Sequence, residues 1–495
     1  MDPFCPIKTR ILGDYTATLN QVDINANNNK FYIIQVVDDG SQFHLFTRYG
    51  RVGQKGVTGL KTFSTQSSAI FKFNDVYKTK TGNVWGQPFV KKSGKYMLMD
   101  MDVEVSGDTQ SQPSATPSSP TPAPPSPPSP TSTQPSPTPP TPTPPTPPTP
   151  PTPPTLDPQI SKLIQLIGNK HMMRQTMMNL DIDVQRLPLG KISKSQISSA
   201  NKLLNLISDQ LSTLTSNELI DLSSQFWTIV PFNSGRNRPP LLDTKDQIKK
   251  CSTLLECLEN IQIAGSIFQG ATTEHDVYKS LGVELVPLEP GEDEFGMIQD
   301  YVKNSHGSTH RYTLEVMSAY AVNKEDQNSS SFNQIKNHCL LFHGSRMANF
   351  MGILSEGLRI PQSSQVANGS ILGNGIYFAD VVSKSFNYTC SNETNDTGIM
   401  VLCEVALGES EKVFGPTTHQ LPGSYSSRMA IGKNSPSKVT EFESSECTVK
   451  IPNGEIKPNL DAEIAGSSFL YNEYVIYNKF QYKFRYLIEL KAKKI

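Results

Sequence analysis

Two hydrophobic periods alternate along this chain, and one long stretch shows neither. Phe31 to Val37 is a β-branched and aromatic run closed by Asp38, Asp39 and Gly40, and Phe43 to Tyr49 alternates, so the pair predicts a β-hairpin. Glycines at 50, 53, 56 and 59 then punctuate turns. Ile70, Phe71, Phe73 and Val76 predict one amphipathic helix between Ser67 and Tyr77.

From about residue 157 the period becomes helical. Ser193 to Gln196 reads as a capping box, followed by an apolar face of Ile197, Ala200, Leu203, Leu204, Ile207 and Leu211. A second helix is predicted to start near Thr244, to bury Ile248, Cys251, Leu254, Leu258 and Ile261, and to end before Gly265. After about 285 short strands return: Cys339 to Phe342, Ile399 to Cys403 and Phe484 to Leu490. The pattern predicts a β-rich unit with one helix, then a helical bundle, then a mixed, strand-dominated domain.

Composition explains the stretch without a period. The chain has 495 residues, with hydrophobic content of 36% and charged content of 18%, and its 38 prolines are concentrated: 23 of them lie between residues 113 and 158. No Asp, Glu, Lys or Arg occurs from Thr109 to Leu156. Such Thr-Pro-Pro repeats cannot form a core and predict a disordered polyproline II spacer, able at about 3.1 Å per residue to hold its flanks up to ~150 Å apart. There is no apolar run of about 18 residues and no signal-like start, so the reading is of a soluble, intracellular protein without a membrane partner.

Charge is uneven. Residues 1–98 carry 13 Lys and Arg against 6 Asp and Glu, a net +7, so the remainder must sum to −8 to give the overall −1. A basic first domain on an acidic remainder points to a polyanion at the N-terminal end. The seven cysteines form no CxxC pair and no zinc-like spacing with histidine, so no metal is expected and the thiols read as reduced packing groups.

Candidate chemistry lies in the last two hundred residues. Phe342-His-Gly-Ser345 follows a buried strand, and in extended backbone the N–H and C=O of Gly344 point the same way, as needed to hold a carboxamide. Gly373 to Tyr388 joins a glycine-rich loop, a short strand and a helix for which Asp380 is the expected N-cap. Ser385 and Tyr388, three apart, would offer a hydroxyl and a ring to one planar ligand. Glu473 sits in an apolar run, where a carboxylate is costly unless paired or used.

Taken together, LLFHGSRMANFMGILSEGLRI, GNGIYFADVVSKSFNY and FLYNEY closely resemble the His-Tyr-Glu signature of the poly(ADP-ribose) polymerase family. Upstream, LPLGKISKSQI, FWTIVPFNSGRNRPPLLD and YVKNSHGSTH resemble the helical regulatory domain of its DNA-dependent members, and NNNKFYIIQVVDDG, RYGRVGQKG and KTGNVW resemble the WGR domain. The resemblance implies a multidomain α+β protein: a WGR-like domain at 1–104, a proline-rich linker at 105–157, an all-α regulatory domain at 158–285 and an ADP-ribosyltransferase domain at 286–495. It also implies a DNA-break-activated enzyme that transfers ADP-ribose from NAD+ to proteins, itself included, and elongates the product, with a nuclear address.

Carried onto this chain, the family pattern gives Gly344 and Ser385 the nicotinamide amide, Tyr388 and Tyr377 the two faces of its ring, and His343 the adenosine ribose. Ser345 and Arg359 fall on the adenosine and pyrophosphate side, Glu473 on the 2′-hydroxyl of the nicotinamide ribose, and Lys384, Tyr471 and His310 toward the acceptor. Asn29, Lys30, Tyr49 and Arg51 match DNA-contacting positions, Tyr49 standing where the family has tryptophan, and Trp85 is read as core. Asn374 replaces a lysine often seen in the glycine-rich loop. Two other readings share these residues: a mono(ADP-ribosyl)transferase or NAD+ glycohydrolase independent of DNA, and a non-enzymatic scaffold that binds DNA ends.

Overall fold

The computed structural model describes residues 1–99, 156–184, 187, 192–327, 330–360, 371–443, 447–461, 464 and 466–494. The proline-rich spacer therefore lies outside the described residues.

The N-terminal region is one antiparallel sheet with a helix on it. Strands β1 (Arg10–Asp23), β2 (Asn28–Asp38), β3 (Phe43–Arg51) and β4 (Val57–Phe63) precede helix α1 (Gln66–Thr81) and the short β5 (Met97–Leu98), in the sheet order β4-β3-β2-β1-β5. The β2–β3 hairpin forms as the alternation predicts, and its turn is tied by the Asp39 carboxylate, which accepts from the backbone of Ser41 and Gln42. Ala69, Phe73 and Tyr77 of α1 press on Ala17, Leu19, Ile34, Val36 and Leu45, with Trp85 edge-on to Phe73 and Tyr77. Thr65 caps the start of α1 and Gly82, in the left-handed region, its end.

The helical region holds α2 (Pro158–Ile167), α3 (Lys170–Asn179), α4 (Lys194–Gln210), α5 (Ser216–Ile229), α6 (Lys245–Gly270) and α7 (Glu274–Ser280). Only half of the expected capping box at Ser193 is made: its hydroxyl accepts from the Gln196 N–H, but the Gln196 amide donates to the sulfur of Met99 instead of returning to the cap. Helix α6 starts after Thr244 as predicted, yet it does not stop before Gly265. It runs through that buried glycine because Ile261, Ala264 and Ile267 continue its apolar stripe.

The C-terminal region contains β6 (Glu284–Leu288), α8 (Asp293–Asn304), β7 (Tyr312–Asn323), α9 (Ser330–Gln334), β8 (His338–Gly344), α10 (Phe350–Glu356), β9 (Ile376–Phe378) and α11 (Val382–Phe386). There follow β10 (Thr397–Ala406), β11 (Ser410–Val413), β12 (Ser427–Ala430), β13 (Asn434–Pro436), β14 (Thr440–Glu443), β15 (Thr448–Ile451), β16 (Ile456–Pro458), β17 (Glu473–Ile476) and β18 (Tyr482–Lys494). A seven-stranded sheet in the order β14-β15-β8-β10-β18-β7-β6 and a four-stranded one in the order β11-β12-β17-β9 are joined by the Phe342 to Ala379 bridge. β8 and β10 are buried on both faces, which is why they read as continuous apolar runs.

The regions flanking the spacer are packed together, not held far apart. Asn20 donates to the Thr228 carbonyl at 2.9 Å, and Thr228 and Ser224 on α5 accept from the backbone N–H groups of Val22 on β1 and of Ile24 just after it. On its other side α6 meets α10, where a Cβ on Gly352 would lie 2.3 Å from Asn260 Oδ1. One apolar core accordingly runs from Val22 and Ile24 through the helices to Phe350, Met351 and Leu354.

Candidate active site

The cleft is built where β8 ends, β9 crosses it and β17 begins. His343 Nδ1 lies 2.8 Å from the Tyr377 carbonyl, which can only accept, so the proton sits on Nδ1 and Nε2 presents a lone pair. Burial pushes the His343 imidazole below its usual value, favouring this neutral tautomer. Gly344 has no space for a side chain, since a Cβ would stand 2.0 Å from the Ser385 carbonyl oxygen. Glycine is therefore required for strand β8 to approach α11, in addition to leaving its own backbone open. The Ser385 hydroxyl donates to the Phe342 carbonyl at 3.1 Å and fixes the same junction.

Two rings and a carboxylate complete the cleft. The Tyr377 hydroxyl donates to the Gly373 carbonyl at 2.7 Å and accepts from the Leu372 N–H, and burial raises its pKa. Tyr388 stands in a single 3₁₀ turn (Asn387–Thr389) after α11 and is 55% exposed as a residue. The Glu473 charge is felt by both phenols. Glu473 opens β17 and is paired: Lys384 Nζ lies 2.7 Å from its Oε1 and also donates to the carbonyls of Tyr471 and Asn472. Burial pulls the Lys384 ammonium down, while Glu473 opposes the shift.

Asp380 is not the helix cap that the sequence suggested. Val381 occupies that position, and the Asp380 carboxylate turns inward, accepting from Asn472 Nδ2 at 2.7 Å and the Tyr474 hydroxyl at 3.0 Å. Burial pushes its pKa up. Asp380 thus ties the loop after β9 to β17, and Asn472 also receives the Gly432 N–H. These supports went unrecognised because their partners lie 92 and 94 residues away.

The remaining positions form two groups. Ser345 accepts from Asn349 Nδ2 at 2.9 Å, and Arg359 is held by α6: its Nη2 donates to Asn260 Oδ1 at 2.6 Å, and Glu259 lies 3.8 Å from its Nε. At the other end, His310 Nδ1 lies 2.8 Å from the Ser383 hydroxyl and its Nε2 accepts from Asn387 Nδ2, while the Tyr471 hydroxyl meets Thr309 Oγ1 at 2.8 Å. Burial lowers the His310 pKa.

The four N-terminal candidates divide as well. Tyr49 is 43% exposed and stacks on Tyr32 with ring centroids 5.2 Å apart, and Lys30 is exposed. Asn29 and Arg51 instead face the helical region: Asn29 Nδ2 donates to the Phe232 carbonyl at 2.8 Å, and Arg51 Nε donates to the Gly235 carbonyl at 2.6 Å and its Nη2 to the Asn237 carbonyl at 2.5 Å.

Comparison with known proteins agrees with this arrangement. Residues 15–91 match the WGR domain, residues 154–281 the poly(ADP-ribose) polymerase regulatory domain, and residues 292–492 the poly(ADP-ribose) polymerase catalytic domain. The chain is 34% identical over 493 residues to poly [ADP-ribose] polymerase 2-A of Oryza sativa subsp. japonica, covering 96% of this chain and 70% of that one. It is 33% identical to poly [ADP-ribose] polymerase 2 of Zea mays (97% and 71%) and 32% identical to poly [ADP-ribose] polymerase 1 of Xenopus laevis, of which it spans 46%. The chain is thus an ADP-ribosyltransferase that takes NAD+ as substrate. The chain belongs to the poly(ADP-ribose) polymerase family. No helix among the described residues is long and apolar enough to cross a membrane.

Proposed function

We propose that this enzyme, when its N-terminal domain meets a DNA break, transfers ADP-ribose from NAD+ to protein side chains, itself included, and elongates it to poly(ADP-ribose) in the nucleus. The observation that carries polymer formation is the placement of Glu473 at the start of β17, held by Lys384 within the cleft of His343 and Tyr377. In this reading the Gly344 backbone and the Ser385 hydroxyl take the nicotinamide amide between the rings of Tyr377 and Tyr388. His343 Nε2 accepts from the adenosine ribose, and Ser345 and Arg359 lie on the adenosine and pyrophosphate side. Glu473 accepts from the 2′-hydroxyl of the nicotinamide ribose.

Breaking the nicotinamide–ribose bond sends the bonding electrons to the leaving nicotinamide and leaves an oxocarbenium-like sugar. A carboxylate bonded to that ribose is worth about 3 to 4 kcal/mol to such a state. The same carboxylate polarises an incoming ribose hydroxyl, which favours chain growth. Lys384 acts here as a positioning residue for Glu473, and Tyr471 and His310 line the acceptor side.

Regulation follows from Arg359. Helix α6 occupies the guanidinium assigned to the nucleotide, which supports a regulatory domain that covers the NAD+ site until DNA loosens it. The net +7 of residues 1–98 and the exposed Tyr49 support DNA contact at the far end. The test is incorporation of labelled NAD+ by the full chain, with and without a nicked duplex, resolved on a gel beside Glu473→Gln. The expected result is a DNA-dependent high-mass smear that collapses to short adducts in the variant. Long polymer from Glu473→Gln removes the role assigned to Glu473, and equal labelling without DNA removes the switch.

A further inference from the structure

Four adjacent strands of the large sheet bring one polar side chain each to a common point away from the NAD+ cleft. Cys447 directly precedes β15, His338 opens β8, Glu404 lies on β10 and Arg485 on β18, and β8 pairs with both β15 and β10 at His338. His338 and Glu404 are almost wholly buried. No local pattern reveals this cluster, because His338 and Glu404 are 66 residues apart and Glu404 and Cys447 another 43.

The geometry around His338 is specific. Its Nε2 lies 2.6 Å from the Ile335 carbonyl, which can only accept, so Nε2 carries hydrogen. Its Nδ1 lies 2.6 Å from Glu404 Oε1, and two lone-pair atoms this close need a cation between them, either a proton or a metal. Cys447 Sγ is 3.4 Å from the same oxygen, and the three ligand atoms lie within 4.8 Å of one another. An imidazole whose second nitrogen donates to a backbone carbonyl, beside a carboxylate steadied by a further partner, is the usual outer support of a metal centre. Arg485 supplies that partner, since its Nε donates to Glu404 Oε2 at 2.5 Å and its Nη2 reaches the same atom.

We propose that His338 Nδ1, Glu404 Oε1 and Cys447 Sγ form a binding site for one zinc-class divalent ion, with the fourth position left to water. A nitrogen, oxygen and thiolate set suits zinc over magnesium or calcium. Ligands at zinc bond lengths stand roughly 3.3 to 3.7 Å apart in a tetrahedron. The Cys447–Glu404 separation already fits, and the His338–Glu404 one must widen by about 1 Å or less.

Arg485 is no electrostatic obstacle. With a proton between His338 and Glu404 and a neutral thiol, the four side chains carry one net positive charge. Binding releases that proton and the thiol proton to solvent and adds two positive charges, so the group again carries one. The ion replaces two protons without changing the local charge.

The test uses the full chain, stripped with a chelator, dialysed and titrated with cobalt(II), whose thiolate charge-transfer band reports a sulfur ligand directly. One equivalent of cobalt with that band, displaced by zinc, is expected. Cys447→Ser abolishes the band, His338→Gln weakens binding by at least about tenfold, and Cys390→Ser changes neither. Serine and glutamine can both still hydrogen-bond to Glu404, which protects the fold. As a second measurement, zinc should raise the melting temperature of the parent but not of Cys447→Ser. The proposal is overturned if the parent binds no stoichiometric cobalt, or if the band survives in Cys447→Ser.

Discussion

Lys384 Nζ stands 2.7 Å from Glu473 Oε1, so the carboxylate assigned to catalysis enters the cleft already paired with a half-buried ammonium. The lysine is itself held by the Tyr471 and Asn472 carbonyls, which fixes Glu473 relative to β17. A positioned carboxylate accepts a ribose hydroxyl without reorganisation, whereas a free one rotates.

Lys384→Met keeps the side-chain stem and deletes the charge. The expected outcome is a fall in kcat on the order of ten- to a hundredfold, with KM for NAD+ within a few-fold of the parent. Steady-state kinetics with labelled NAD+ separates the two parameters, and a change confined to KM would show that Lys384 holds the nucleotide instead.

Asn260→Ala releases the Arg359 guanidinium from α6. Activity without DNA should then rise several-fold while the DNA-stimulated maximum stays level. Because Asn260 is buried, a melting curve must accompany the assay. Destabilisation without a rise in basal rate would mean that this contact only packs the helix.

Tyr49 and Arg51 should separate recognition from transmission. Tyr49→Ala should weaken binding to a DNA end by roughly tenfold, as loss of one stacking platform costs about 1–3 kcal/mol, and Tyr49→Trp should strengthen it. Arg51→Ala should leave affinity much less altered but reduce stimulation by DNA, since its guanidinium is bonded to Gly235 and Asn237. Fluorescence anisotropy gives the affinities and labelled-NAD+ assays the stimulation. Equal affinity losses in Tyr49→Ala and Arg51→Ala would put both side chains on DNA.

His343 sets a pH dependence of stability. Burial lowers its folded pKa below the unfolded value of about 6.5, so on acidification the unfolded chain takes up the proton first. The stability linked to this group is present above about pH 6.5 and is lost as pH falls toward the folded pKa. His343→Gln, whose amide can still donate to the Tyr377 carbonyl, should therefore lose less melting temperature than the parent between about pH 7.5 and about pH 5.5. Identical slopes would remove His343 from the acid sensitivity.

Local chemistry made much of this protein legible in advance. The alternation of β2 and β3, the Thr244 cap of α6 and the continuous apolar runs of β8 and β10 all depend on neighbours within a few residues. The motifs around His343, Tyr377 and Glu473 were readable for the same reason, each being a short segment with its own turn and strand. Long-range partners were not. Asp380 resembled a cap because a cap is the commonest local use of aspartate there, and only Asn472 and Tyr474 turn it inward. Arg51 is bonded to the Gly235 carbonyl, 184 residues away, a partner that no local pattern reveals. The end of α6 was misplaced because a buried glycine is tolerated wherever tight packing repays its loss of helix propensity.

The hydrogen bonds from Asn20, Val22, Ile24, Asn29 and Arg51 to the helical region join segments separated in sequence by the proline-rich spacer. Joined this way, the two regions are seated on each other by their own contacts, and the covalent connection between them adds only that neither can leave the other's neighbourhood. A protease cut between residues 103 and 155 would leave two pieces that stay seated at high protein concentration and drift apart on dilution. Dilution alone would then do what DNA is proposed to do.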